Sequence, residues 1–363
     1  MPIRRFTRAG IYVVVWFGAA LICRGQSGTA PKDENIATPK PPQLALVDSV
    51  VVKSEMAQGF VDPLKCDGDG NLYLMSAVDA TSGIRKLNAR GERLALFVAN
   101  SASDLQVQLA TYFSVAPNGD VYQLAFLRKT IDRAVLVYSK DGKYKRHIKL
   151  NVNFDWVPSE VASFPDGDVL VAGSKSDPNS DVHVKLPFTA LFSSSGTLRK
   201  QVALEDDEKI QDMAVSGDSR VVPPDHPFSN MAVVGGQMEA AGDGNVYLMR
   251  RMSPAIVYAV SPDGEVVKRF SVDPGNADYM PISMHIAGRR IAILFREPQT
   301  DEVSVKIVDL EGRELETYDE PKVNGRGTLG LAFACYLTNP KERLVFLYTA
   351  NDGYLGFRIA EPQ

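Results

Sequence analysis

Histidine, cysteine and tryptophan are scarce in this chain of 363 residues, which carries four, three and two of them. Cys23 closes an N-terminal apolar run, which leaves Cys66 and Cys335 for the body of the protein. Two cysteines cannot build a disulfide framework, and their separation is not that of zinc ligands. The histidines His147, His183, His226 and His285 form neither a His-x-His nor a His-Glu-x-x-His pattern, and no Gly-x-Ser-x-Gly elbow occurs. The motif-defined zinc peptidases and α/β-hydrolases are thereby excluded. An excess of basic residues is also missing: 40 Lys and Arg stand against 44 Asp and Glu, a net charge of −4. Nucleic-acid binders show basic patches, so that class of partner is excluded too.

What is present begins with an export pattern. Arg4, Arg5 and Arg8 precede an uncharged apolar run at residues 10–22, shorter than the roughly 20 residues a membrane span needs. This reads as a signal peptide or N-terminal anchor over residues 1–25, with an extracytoplasmic destination, periplasmic or secreted. Three fates are open: ordinary cleavage after a small residue, retention as an anchor, or lipidation at Cys23. The third departs from the usual pattern because Ile22, not a small residue, precedes the cysteine. Membrane association is expected only through this segment. Residues 26–42 are polar and rich in proline, with no periodic apolar face, and read as an extended tether. Cleavage at residue 25 removes four Arg and no acid, and takes the net charge to −8.

The body, residues 43–363, is organised by a recurring hexapeptide, Asp69-Gly70-Asn71-Leu72-Tyr73-Leu74. Related versions are Asn118-Gly119-Asp120-Val121-Tyr122, Asp166-Gly167-Asp168-Val169-Leu170 and Asp243-Gly244-Asn245-Val246-Tyr247-Leu248, with degenerate copies at 288–294 and 341–347. A Gly in a tight turn followed by alternating β-branched and aromatic residues is a hairpin signal. After each copy comes a second turn, at Gly91, Gly142, Gly196, Gly264 or Gly312. Two hairpins per unit of about 40 to 50 residues predict four-stranded propeller blades.

Labelled a to d from the axis outward, the strands of blades one to five start near Phe60, Leu109, Trp156, Gln237 and Pro281. The sixth unit supplies only three strands, near 328–335, 344–349 and 354–359. A strong strand at 44–53 has no partners before it. The reading that protects both edges makes it strand d of the last blade, an all-β six-bladed ring closed by its own N-terminal strand. Meander parity then puts the short Gly turns on one face. The long connections at 174–187, 205–236, 273–280, 297–303 and 319–327 fall on the other, where binding and catalysis concentrate.

The unit of apolar strand, Asp-Gly-Asn-Val-Tyr-Leu, then an apolar strand ending Ser-Pro-Asp-Gly, resembles the NHL-repeat class of six-bladed β-propellers. Residues 237–272 match it best, through Asp243, Gly244, Asn245, Val246, Tyr247, Asp263 and Gly264. The resemblance implies a ring used mostly for binding proteins or other polymers, a minority of members being lyases or hydrolases with a metal in the channel. Its motif is structural and does not select a chemistry.

Candidate site residues follow from the parity argument. Aromatic and acidic residues adjoin at Phe60 and Asp62, Phe154 to Trp156, Asp225 and Phe228, Asp278 and Tyr279, and Tyr318 and Asp319. Ringing the channel mouth, they would offer flat apolar faces beside acceptors; alternatively the aromatics plug the spaces between blades. The expectation is a non-enzymatic binding module for a protein, peptide or glycan, with Trp156, Asp225, His226 and Tyr279 as contacts and no cofactor. The alternative is a channel-centred lyase or hydrolase holding a divalent metal with His183, His226 and His285, and a second is a structural envelope component. Asp67-Gly68-Asp69-Gly70-Asn71 begins like a calcium loop but has Leu72 where the turn glycine belongs and Val78 where the bidentate acid belongs. Cys66 and Cys335 fall on inner strands of neighbouring blades. Two buried thiols are expected there, with a bridge across the ring closure as the alternative.

Overall fold

The computed structural model describes residues 42–56, 60–76, 83–101, 105–128, 132–176, 185–207, 236–323, 326–330 and 332–363. The expectations for residues 1–41, and for His183, Asp225 and His226, lie outside them. The described chain belongs to one compact unit, Pro41–Gln363, and forms six four-stranded antiparallel sheets.

Blade one comprises Phe60–Cys66, Leu72–Ser76, Ile84–Leu87 and Arg93–Phe97. Blade two comprises Val107–Val115, Val121–Leu127, Arg133–Tyr138 and Tyr144–Lys149. Blade three follows with Trp156–Ser163, Val169–Ser176, Lys185–Phe192 and Leu198–Gln201. Blade four has Gln237–Ala240, Val246–Arg250, Ala255–Val260 and Val266–Val272. Blade five has Met280–Ala287, Arg290–Arg296, Val303–Asp309 and Glu314–Asp319. Blade six takes Ala332–Leu337, Arg343–Thr349 and Tyr354–Pro362 from the C-terminus and Leu44–Met56 from the start of the body.

The closing strand runs antiparallel to the last one, with Val50 opposite Phe357. Its register shifts at Leu46/Asp48 and Val52/Met56, and such bulges bend an outer strand around the rim. A short hairpin, Lys322–Val323 with Arg326–Gly327, occupies the connection between blades five and six.

The repeated motif builds its turn from its own side chains. In blade one the Asp67 carboxylate accepts the Asn71 N–H at 3.0 Å and the Tyr73 hydroxyl at 3.0 Å. In blade four Asp243 plays that part, accepting from the Asn245 N–H at 3.0 Å and the Tyr247 hydroxyl at 2.8 Å. In blades two and three an aspartate replaces the motif asparagine and pairs with strand d instead: Lys145 to Asp120 at 2.7 Å, and Arg199 to Asp168. One sequence position thus serves two alternative polar contacts, while in these two blades the turn N–H groups of Asp120 and Asp168 donate to Asn118 and Asp166, each at 3.0 Å.

Strands b and c of every blade are buried on both faces, so their apolar residues run continuously rather than alternating. The core is accordingly divided into six clusters, one at each seam between neighbouring blades. Each fully buried Leu, Val or Phe in a seam contributes about 1.5–3 kcal/mol, and no blade can collect that burial alone.

The expectation of two free thiols is corrected: Cys66 and Cys335 are disulfide-bonded, with a Cα–Cα distance of 5.4 Å. Both cysteines lie on strands a, the innermost strands of neighbouring blades, which approach here within bridging range. Strand pairing inside blade six and a covalent bond from blade six to blade one therefore both secure the closure of the ring.

Candidate functional site

The ladder pairs Lys65 with Tyr73, Ser114 with Tyr122, Ala162 with Leu170, Glu239 with Tyr247, His285 with Ala292, and Cys335 with Val345. These are equivalent register positions on the six inner strands. Lys65, 1% exposed, donates to Glu239 Oε1 at 2.7 Å and to the Met238 carbonyl at 2.9 Å. Blades one and four stand opposite in a ring of six, so the lysine side chain crosses the axis. A buried ammonium is stable only with such partners, because desolvation alone would cost it several kcal/mol.

His285 completes the cluster. Its Nδ1 lies 3.6 Å from Glu239 Oε1 and its Nε2 3.2 Å from the Phe333 carbonyl, with the ring edge-on to Phe333 at 4.8 Å. The position expected for it, on an inner strand near the channel, is the observed one. Its side chain is buried and held by these contacts. Among the described residues no three His, Cys, Asp or Glu side chains gather as metal ligands.

The long-loop face is built differently. Trp156 begins strand a of blade three, but its ring is 1% exposed, stacked on Phe192 at 5.7 Å and edge-on to Phe188 at 5.3 Å. It fills the seam between blades two and three, so a contact role for this residue gives way to the plug role. Phe154, two residues earlier, is the exposed member of the same aromatic group at 37% and packs edge-on to Phe188 at 5.0 Å. Next to it, Asp155 reaches Arg133 of blade two at 3.5 Å.

Tyr279, at the entrance to blade five, is half-buried, and its hydroxyl donates to Glu302 Oε2 at 3.4 Å. Burial, reinforced by the Glu302 charge, pushes its hydroxyl up to about 12. It remains a neutral donor throughout the physiological range.

One polar group on this face was missed. Arg250, fully buried at the end of strand b of blade four, donates to Asp207 Oδ1 at 2.6 Å. Neighbouring Asp206 accepts from the Tyr258 hydroxyl and from Arg269 at 3.3 Å, and Glu205 pairs with Arg269 at 3.0 Å. Burial raises the Asp207 carboxyl, opposed by the Arg250 charge, and lowers the Arg250 guanidinium. The start of the longest connection is thereby riveted to blade four. The available signal was an arginine ending a strand of otherwise apolar residues, Val246-Tyr247-Leu248-Met249-Arg250.

No protein-family model matches this chain, and no curated protein matches it. Solved structures do. A luciferin-regenerating enzyme is 8% identical over 87% of this chain and 97% of its own, with a TM-score of 0.48. The PQQ-bound aldose sugar dehydrogenase of Streptomyces coelicolor is 10% identical over 89% of this chain and 100% of its own, TM-score 0.47. The Pan2 WD40 domain of Neurospora crassa is 10% identical over 88% and 95%, TM-score 0.42. These similarities select no function for this chain.

Proposed function

We propose that this chain is an exported, NHL-repeat-like propeller that binds a protein, peptide or glycan through its long-loop face. The observation carrying the reading is the contrast between axis and face. Along the axis the buried Lys65 and His285 both engage the partly buried Glu239, so these polar groups are committed to one another rather than offered to a substrate. On the face, Phe154 stands exposed on a rigid aromatic stack and Tyr279 offers a half-buried hydroxyl. Flat apolar groups beside polar ones, set on loops over a rigid frame, are the usual makings of a recognition surface. The Cys66–Cys335 bond supports the extracytoplasmic destination, since such bonds persist in oxidising compartments.

The test is a binding screen of the full chain against arrays of glycans and peptides, repeated with Phe154→Ser, Tyr279→Ala and, on the opposite face, Arg90→Ala. Ligands retained by wild type and Arg90→Ala but lost by the other two are the expected result. Ligands equally retained by all four proteins would overturn the assignment to this face.

A further inference from the structure

The geometry points to an acidic-saccharide subsite at the rim of the seam between blades two and three, with Lys175 reading the carboxylate and Phe154 the sugar ring. This rests on the long-loop face being the binding face and names the chemistry it reads there.

Lys175 lies near the end of strand b of blade three, paired with Trp156 on one side and Leu186 on the other. Paired residues share a sheet face, and so do residues two apart on a strand. Lys175, Trp156, Gly173 and, through its pairing with Gly173, Phe188 therefore lie on one side of the blade. Gly173 leaves room for no side chain, since a Cβ there would sit 2.1 Å from the Val157 carbonyl. The ammonium of Lys175 stands 5.7 Å from the Phe188 ring centroid, and Phe154 packs on that same ring. Nearby cations on this seam are paired, Arg133 with Asp155 and Lys149 with Asp132. Lys175 has no carboxylate partner among the described residues.

A half-buried ammonium held over one aromatic ring, beside a second ring that is exposed, accepts an anion attached to a flat apolar surface. A uronate has both parts: a carboxylate and a face of C–H groups. A peptide is the weaker fit because strand b of blade three is paired along both edges, so no backbone edge is free beside Lys175 for a peptide to extend. Losing one charged contact of this kind weakens binding about tenfold or more.

Calorimetric titration of the full chain tests this, using a galacturonate tetrasaccharide, a neutral galactose tetrasaccharide and a tetraglutamate peptide as probes. Saturable uronate binding is expected, at least tenfold tighter than the neutral sugar, weakened by salt, reduced about tenfold by Lys175→Met and largely kept by Lys175→Arg. The methionine retains the apolar stem, and an unchanged melting temperature confirms that it folds. No saturable uronate binding, tighter binding of the peptide, or uronate binding indifferent to Lys175→Met would each overturn the subsite. A neutral ligand lost in Phe154→Ser but kept in Lys175→Met overturns the subsite while leaving the face reading intact. A ligand indifferent to both substitutions removes both.

Discussion

A lysine that is 1% exposed must place its charge on something, and Lys65 places it on a carboxylate from the opposite side of the ring. The converse holds for Glu239, whose oxygen faces both Lys65 and His285. Removing one member strands the other in a medium that solvates it poorly. Lys65→Met is therefore expected to lower unfolding stability by about 3–5 kcal/mol in urea melts. Adding Glu239→Gln should recover most of that loss, because the pair is then replaced by neutral groups. A double variant no more stable than the single one would mean that packing of the lysine stem, not charge pairing, accounts for the cost. Nothing in the local sequence around Lys65 announces this contact: its partner is distant in the chain and meets it only once the ring is closed. Arg250 was hidden for a related reason, since its partner Asp207 lies in a connection with no periodic pattern to place it.

At the scale of elements, the second turn of each unit leans on the outer strand of the blade before it. A Cβ on Gly196 would lie 1.9 Å from the Lys149 carbonyl, and one on Gly312 would lie 2.4 Å from the Phe270 ring. Ion pairs reinforce the same junctions, Lys200 to Glu265 between blades three and four and Lys268 to Glu311 at 2.6 Å between four and five. These exposed pairs contribute little each, so close backbone approach carries most of the junction. The comparison of Gly196→Ala with Gly244→Ala separates packing from conformation. Both glycines have φ near +90° (90° and 87°), which costs an alanine about 1–2 kcal/mol, but Gly244 has nothing within 4 Å of its Cβ position. Gly244→Ala is expected to cost only that conformational amount in thermal melts and Gly196→Ala several kcal/mol more. Equal costs would show that the turn is not pressed against Lys149.

These turns are also why so much of the fold was legible. Glycine, aspartate and asparagine at fixed offsets, followed by β-branched and aromatic residues, specify hairpins locally, and three strands without a fourth at the C-terminus call for the strand at the start. What the pattern could not convey was the direction in which an aromatic faces. Phe154 and Trp156 are two residues apart beside one acid, yet one is exposed and the other sealed in a seam. That outcome is set by Phe188 and Phe192, which arrive from a different strand. The disulfide was illegible for the same cause, because the distance between two inner strands depends on how narrow the assembled ring is.

For the whole molecule, the closure around blades six and one differs from the other five junctions because the covalent chain is interrupted within blade six, whose strand d comes from the start of the body and whose other three strands come from the C-terminus. It is held by the outer strand, with Val50 opposite Phe357, by its apolar cluster, and by the Cys66–Cys335 bond across a separation of 269 residues. A disulfide stabilises mainly by limiting the unfolded chain, and for so long a loop the entropic estimate exceeds about 4 kcal/mol. The strand pairing opposes the same opening. While the bond is intact, loss of the strand frees only the rim, and while the strand is paired, reduction frees only the axis. The two locks should therefore couple. Val50→Asp and the Cys66→Ser/Cys335→Ser pair are each expected to lower the unfolding midpoint in urea. The combined protein should lose more than the sum of the separate losses, by on the order of 1–3 kcal/mol of interaction. Additive losses would mean that the ring opens first at a junction other than this closure. The measurement thus locates the weakest junction of the ring as well as weighing its two fastenings.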